Sequence, residues 1–157
     1  MELTSAIAMT IYFYKVNEPY GCFSNFSPHS IELQGETWQT VEHYYQAQKF
    51  IGSLDEKLAS IIKAASTPEQ AAALGRDCSR QLRSNWQQVK TQVMRLAVLQ
   101  KFLTHQDIQA ILLSTANLII VENSPNDYYW GCGEAKTGDN HLGKILMSVR
   151  EEIKSKL

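Results

Sequence analysis

Apolar residues recur at steps of three and four in two long stretches of the chain, and this spacing predicts helices. The first stretch begins at a capping-box pair, Ser84 and Gln87. Its apolar residues are Trp86, Val89, Val93, Leu96, Leu99 and Leu103. The second lies near the C-terminus and carries Leu142, Ile145, Leu146, Val149 and Ile153. We therefore expect two amphipathic helices, each with one apolar stripe.

Capping residues predict where further helices begin. The Thr40 hydroxyl can accept a hydrogen bond from a first-turn amide, so a helix should start there and run to about Ile51, before Gly52. The run Thr67-Pro68-Glu69-Gln70 combines a capping threonine, a proline in the first helical position and a capping-box glutamine, and Gly75 can close that helix. Shorter helices are expected over residues 54–65 and 106–113.

Three short segments have the composition of strands: residues 11–14, 30–33 and 118–121. The first two flank a loop, residues 17–27, that is rich in Asn, Pro, Gly and Ser. These strands are too few for a doubly wound sheet. The expected fold class is α+β: a compact, mainly helical single domain over residues 1–157, with residues 1–10 as a loose lead-in.

Composition narrows the function classes. The 157 residues include 15 Lys and Arg against 16 Asp and Glu, which argues against a protein that coats nucleic acid through a net positive field. Three scattered cysteines indicate reduced thiols in a cytoplasmic protein. No signal peptide is visible and the longest aliphatic run is residues 118–121, so we expect no membrane partner.

Residues 123–140 form the most irregular stretch. It contains Asp127, Tyr128, Tyr129 and Trp130 with three glycines, and it has no Leu, Ile or Val. Such a segment is long for a mere connection, and long loops often carry function. We expect it to lie outside the core.

Glu42, Gln46 and Lys49 are spaced i, i+4, i+7 and must share one side of the Thr40 helix. Two interpretations are open: a solvated helix face with a favourable glutamate-to-lysine order, or an acid and an amine lined up in a site. The aromatic residues around this stripe allow the same two interpretations, ordinary core or stacking surfaces for a planar heterocycle attached to a sugar.

No metal or other cofactor is expected. The four histidines, His29, His43, His105 and His141, lack the spacing of metal ligands. Cys22 and Cys132 lie in predicted loops, but no His or Asn arrangement marks either as a nucleophile.

Six motifs make the chain similar to the YbiA/NADAR family from Ile11 to about Arg150. They are G-C-F-S-N-F (21–26), W-Q-T-V-E-H-Y-Y-Q-A-Q-K-F (38–50), Gly75-Arg76, N-W-x-x-V-K-x-x-V-M-R (85–95), V-E-N-S-P-N-D-Y-Y-W-G (121–131) and N-H-L-G-K-I-L-M-x-V-R (140–150). The second and fifth are long and unusual. The resemblance implies a mainly helical α+β fold and an N-glycosidase, a hydrolase acting on N-glycosyl compounds.

The resemblance also implies roles for individual residues. Glu42 matches the family's essential acid, and Lys49, Trp86, Asp127 and Trp130 match other pocket positions. Arg76 and Asn25 become candidate phosphate and ribose contacts. The remaining substrate-binding candidates are Ser24, Phe26, Trp38, Tyr45, Tyr129 and Gly131. Residues 134–139 vary within the family, and a cysteine at position 132 is not expected from the family pattern. The identity of the leaving group is therefore left undecided.

Cleavage of a ribose-to-nitrogen bond needs an acid for the departing nitrogen and a group that meets the cation developing at the anomeric carbon. Glu42 or Asp127 could supply the proton, and Lys49 could be either a nucleophilic amine or a phosphate ligand. The family resemblance implies a small ribosylated substrate, a phosphoribosylamino-pyrimidine intermediate of riboflavin synthesis. The alternatives are ADP-ribosylated guanine in DNA, which the same resemblance implies, and a non-enzymatic sensor of ADP-ribose or a nucleotide.

Overall fold

A computed structural model describes residues 9–157 of the chain. The expected loose lead-in therefore falls mostly outside the described residues, and Thr10 already belongs to a strand. In chain order the elements are β1 (Thr10–Phe13), a 3-10 turn (Gly21–Phe23), β2 (Ile31–Leu33), β3 (Glu36–Trp38), α1 (Val41–Gln48), α2 (Lys57–Lys63), α3 (Pro68–Gly75), α4 (Trp86–Thr104), α5 (Gln106–Ser114), β4 (Ile119–Glu122) and α6 (His141–Ser155). This is the expected mainly helical α+β class.

The contacts divide the described chain into two units, residues 25–104 and residues 9–24 with 105–157. The first unit opens with an antiparallel hairpin in which Leu33 pairs with Glu36. Its two-residue turn places Gln34 and Gly35 at φ 54° and 79°, the positive values that such hairpin turns require. The hairpin leads directly to the capping residue of α1.

Helix α1 is the central element of the 25–104 unit. Thr40 Oγ1 accepts the main-chain N–H of His43 at 3.1 Å, which is the predicted N-cap. The helix packs against α2, α3 and α4, and seven of its eight residues are buried. Polar residues on α1 are therefore held inside the unit, and the interpretation as a solvated face is wrong for this helix.

The other unit contains a parallel pair of strands. β1 and β4 pair from Thr10 opposite Ile119 to Phe13 opposite Glu122, and α6 packs on β4. Asn140 precedes α6 in the left-handed conformation. Its side chain donates to the Ile120 carbonyl and accepts the Glu122 N–H, both at 2.9 Å, so it ties the start of α6 to β4.

All six predicted helices form, but several details differ. Helix α1 ends at Gln48 rather than near Ile51, and β3 and the 3-10 turn were not predicted. The apolar stripe of α6 is confirmed as buried. The stripe predicted for α4 is wrong in its second half, because Leu96 and Leu103 are exposed and the buried residues are Met94, Ala97, Val98, Lys101 and Phe102. The buried stripe includes a charged residue, Lys101, and was therefore not recognised as apolar from the sequence.

The helices of the described chain offer no segment with the length and apolar character that a bilayer crossing needs.

Candidate active site

Glu42 is a buried carboxylate in the first turn of α1. Its side chain is 6% exposed, and its main-chain N–H donates to the Asn25 carbonyl at 3.2 Å. Oε1 accepts a 2.7 Å hydrogen bond from Gln46 Nε2 and lies 3.9 Å from Arg76 Nη2. Burial of a carboxylate is costly unless donors and a positive charge compensate it, and these two neighbours supply both.

Lys49 lies two turns further along the same side of α1 and is partly buried. Its Nζ donates to the Gly75 carbonyl at 3.3 Å and lies 5.5 Å from the centre of the Tyr45 ring. Burial lowers the pKa of the Lys49 ammonium to about 8; the Glu42 carboxylate opposes this shift, and the charges of Arg76 and Lys90 add to it. A substantial fraction of this amine is therefore neutral slightly above neutral pH.

Two aromatic rings form a buried wall beside the amine. Tyr45 and Trp86 are 6% and 3% exposed, and their ring centres lie 5.2 Å apart at an interplanar angle of 53°. Because Lys49 lies over Tyr45, this wall borders the amine directly. Both residues were predicted to bind substrate.

Trp38, also predicted to bind substrate, lies on a different side of α1. Its ring contacts Tyr44 at 5.4 Å between centres and has Lys63 Nζ 5.2 Å above it. Tyr44 follows Glu42 by two residues, which is about 200° around the helix axis. The described contacts therefore bring Trp38 together with Tyr44 and Lys63, not with Glu42 and Lys49.

The end of α3 supplies the remaining charge and a close backbone approach. Gly75 is buried, and a Cβ there would overlap the side chain of Gln46. Arg76 follows as the C-cap, with a side chain that is 63% exposed while its Nη2 reaches toward Glu42. An exposed guanidinium beside a buried carboxylate is suited to binding an anionic group from solution.

Asn25 lies next to the first turn of α1. It is 9% exposed, its Nδ2 faces Met94 Sδ at 3.4 Å, and within the described chain its buried Oδ1 has no hydrogen-bond partner. The neighbouring candidates Ser24 and Phe26 are half-buried. A buried acceptor of this kind can receive a hydroxyl donor from a sugar.

In the other unit, Asp127 organises the long loop. Its Oδ1 accepts the main-chain N–H groups of Tyr129 at 3.0 Å and Trp130 at 2.7 Å, a local turn typical of aspartate. The rings of Tyr129 and Trp130 meet edge to face, 4.7 Å between centres, and His141 lies 4.2 Å from Tyr129. The loop thus presents three adjacent rings at the start of α6.

The expectation that residues 123–140 lie outside the core is wrong for the middle of the loop. Gly131 and Cys132 are buried, and a Cβ at Gly131 would overlap the Glu122 carboxylate. Cys132 Sγ donates to Asn123 Oδ1 at 3.3 Å, which also accepts Lys136 Nζ at 2.6 Å. Gly131 permits this inward path, because it has no side chain to collide with Glu122.

Within the 25–104 unit the structure groups six predicted residues around one side of α1: Asn25, Glu42, Tyr45, Lys49, Arg76 and Trp86. Two further residues of this group, Gln46 and Gly75, were not predicted as site residues. Gln46 lies in the polar stripe of α1, and Gly75 lies in the Gly75-Arg76 motif, so the sequence carried a signal for both. Among the described residues, no three His, Cys, Asp or Glu side chains form a group that could hold a metal ion.

A family model described as the NADAR domain matches residues 12–154. The chain is 66% identical over 149 residues to an N-glycosidase of Nostoc punctiforme, covering 95% of this chain and 96% of that protein. It is 49% identical over 143 residues to N-glycosidase YbiA of Escherichia coli, covering 91% and 88%. The NMR structure of E. coli YbiA superposes with a TM-score of 0.86 at 47% identity, covering 94% of this chain and 86% of that one.

A plant protein is also similar. The chloroplastic riboflavin biosynthesis protein PYRR of Zea mays is 44% identical over 155 residues. The match covers 91% of this chain and 25% of the maize protein.

Proposed function

This chain belongs to the NADAR family, and on that premise we propose that it is an N-glycosidase that hydrolyses the bond between a ribose phosphate and an amine nitrogen. One observation carries the chemistry: a buried carboxylate and an amine whose pKa is lowered to about 8 lie on the same side of one helix. The carboxyl group can protonate the departing nitrogen, and the neutral amine can attack the anomeric carbon.

Glu42 is the proposed proton donor to the departing nitrogen. Its burial at 6% exposure limits exchange with water, and Arg76 and Gln46 hold its position. Asp127 was the other candidate acid. Because Asp127 Oδ1 already accepts two main-chain amides, its proposed role is to shape the loop.

Lys49 is the proposed nucleophile, in its neutral form. Its Nζ attacks the anomeric carbon, the carbon-to-nitrogen bond breaks, and the departing nitrogen takes the Glu42 proton. One proton of the new ammonium then passes through Glu42 to the ring oxygen, and the sugar opens to a protonated imine. Water then adds to the imine carbon, the bond to Lys49 Nζ breaks, and the free ribose aldehyde is released. Lys49 returns one proton to Glu42, which restores both groups.

The remaining residues of this unit would bind the substrate. Arg76 is the proposed partner of the ribose phosphate, since its guanidinium is exposed and can bind a phosphate through two donors. Asn25 Oδ1 is the proposed acceptor for a ribose hydroxyl, and Tyr45 with Trp86 provides an apolar wall beside the sugar. For Tyr129, Trp130 and Gly131 of the other unit, the proposed role stays the substrate binding that the family resemblance implies.

The proposed substrate is a phosphoribosylamino-pyrimidine of riboflavin synthesis. The similarity to a maize protein named for riboflavin biosynthesis supports this choice, as does an exposed arginine for one terminal phosphate. The balanced charge of the chain favours a small molecule over DNA.

The proposal is tested by incubating the purified protein with a phosphoribosylamino-pyrimidine and, separately, with ADP-ribosylated guanine in DNA. Chromatography should detect the free pyrimidine and ribose 5-phosphate in the first reaction. If guanine-containing product forms only in the second reaction, the substrate is ADP-ribosylated guanine in DNA and not the phosphoribosylamino-pyrimidine. Thermal stabilisation by ADP-ribose with no product from either substrate would identify a sensor and reject the enzyme.

A further inference from the structure

The side-chain amide of Gln46 makes a direct contact with the proposed acid. Nε2 donates to Glu42 Oε1 at 2.7 Å, across one turn of α1. Gln46 is 2% exposed and Glu42 is 5% exposed, so the hydrogen bond is shielded from water. A short, shielded bond to a charged acceptor is stronger than its counterpart at a protein surface.

The carbonyl oxygen of the same amide is in an unfavourable environment. Within the described chain the buried Gln46 Oε1 has no hydrogen-bond partner, and it packs against Gly75, where a Cβ would overlap it. A buried carbonyl without a partner destabilises the folded protein. Methionine would fill the same space without that cost, so packing alone does not explain a glutamine at this position.

The donor has a defined chemical consequence for Glu42. A hydrogen bond to one carboxylate oxygen favours the ionised form and occupies that oxygen. The oxygen that accepts this hydrogen bond becomes the less basic of the two, which favours the second oxygen, Oε2, as the carrier of the transferred proton. Arg76 from the end of α3 lies 3.9 Å from Oε1 of this carboxylate, and Lys49, which follows α1, interacts with the carboxylate electrostatically.

We propose that Gln46 is a positioning residue that reserves Oε1 of Glu42 by hydrogen bonding and thereby assigns proton transfer to Oε2. This inference rests on the proposed function, because it presumes that Glu42 gives its proton to the substrate. Gly75 belongs to the same arrangement, since only a residue without a side chain leaves room for the Gln46 amide.

The test compares Gln46→Met with a matched control, Gln48→Met. Gln48 is half-buried on α1 and follows Glu42 by six residues, which places it about 120° away around the helix. Both variants are checked for folding by thermal unfolding. The Glu42 carboxyl carbon is then titrated by NMR in the substrate-free protein, and kcat and KM are measured separately.

In Gln46→Met the titration midpoint of Glu42 should rise by about one pH unit, because the ionised form loses a donor. The value of kcat should fall roughly 10- to 100-fold with KM within about twofold, the pattern of an interaction that acts on the transition state. Gln48→Met should match the wild type in both measurements. An unchanged midpoint in a folded Gln46→Met protein would overturn the inference.

The two hypotheses fail in different ways. Absence of turnover by the wild-type protein refutes the proposed function, and the NMR titration still decides whether Gln46 controls the proton on Glu42. Normal wild-type turnover with a Gln46→Met midpoint equal to that of wild type refutes only the role of Gln46.

Discussion

The Glu42 carboxylate raises the proton affinity of the Lys49 amine, opposing the burial that lowers the pKa of this amine to about 8. The two residues are seven positions apart and project from the same side of α1. Each group therefore sets the protonation of the other, and a change to either one should be visible at both.

Replacement of Glu42 by Gln removes the acid and keeps its size. Turnover should fall by roughly two to four powers of ten, the usual contribution of general acid-base catalysis. The pKa of Lys49 should also fall below its value of about 8, since the carboxylate no longer favours the ammonium. The pH dependence of Lys49 labelling, followed by mass spectrometry, measures this second effect. Near-normal turnover would remove Glu42 from the mechanism.

Replacement of Lys49 by Met should abolish turnover but stabilise the fold at pH 7. In the folded protein the pKa of this amine is about 8, below the ordinary 10.5. At pH values below about 8 the charged Lys49 therefore destabilises the folded state relative to the unfolded chain. The free energy of unfolding should rise by about 1 kcal/mol, allowing for solvent screening of a partly exposed group and for the loss of its attraction to Glu42.

The sign of the pH dependence follows from the same pKa. Wild-type stability rises with pH between about 8 and 10.5, because the unfolded chain binds more protons there. The advantage of Lys49→Met should therefore shrink from pH 7 to pH 10 in urea unfolding curves. A constant difference across that range would contradict the assigned pKa.

Replacement of Gly75 by Ala places a methyl group against the Gln46 side chain. The amide has to move, so Glu42 loses its donor although its own sequence neighbours are unchanged. We expect a fall in kcat of roughly 10-fold or more, in line with what supporting hydrogen bonds contribute at other sites. Gly52→Ala is a useful comparison, because a Cβ at Gly52 has nothing within 4 Å, although its φ of 78° adds local strain. Equal kcat in Gly75→Ala and wild type would show that the close contact has no functional role.

Two substitutions of Asp127 separate its possible roles. Asn retains a side-chain oxygen that can accept hydrogen bonds from the main-chain N–H groups of Tyr129 and Trp130. Ala removes this acceptor from both N–H groups. Asp127→Ala should lower the free energy of unfolding by about 1 to 2 kcal/mol, and Asp127→Asn by less. If Asp127 only shapes the loop, Asp127→Asn keeps most of the activity. A loss as large as that of Glu42→Gln would make Asp127 the acid.

Features set by local chemistry were predictable from the sequence. Thr40 and Thr67 each cap a helix because a threonine hydroxyl accepts an N–H three residues ahead, and both bonds form. Strand β3 was not predictable in this way, because its three residues, Glu36 to Trp38, are too few to show an alternating pattern and are defined by their pairing with β2.

Burial of charged and polar residues was the harder part. Gln46 and Lys101 are almost fully buried, yet from the sequence alone they resemble solvent-facing positions. Their burial depends on packing between helices that are distant in sequence, for example α1 against α3 and α4. The stripe on α1 was recognised as a candidate site, but the contact of Gln46 with Gly75 required the folded structure.

Reductive trapping tests the central claim most directly. Wild-type protein is incubated with a phosphoribosylamino-pyrimidine and borohydride, digested, and analysed by mass spectrometry. The proposed imine predicts a reduced ribose phosphate adduct on Lys49, which is absent without substrate and absent in Lys49→Met. Turnover of the substrate with no adduct on Lys49 would contradict the assignment of this amine as the nucleophile.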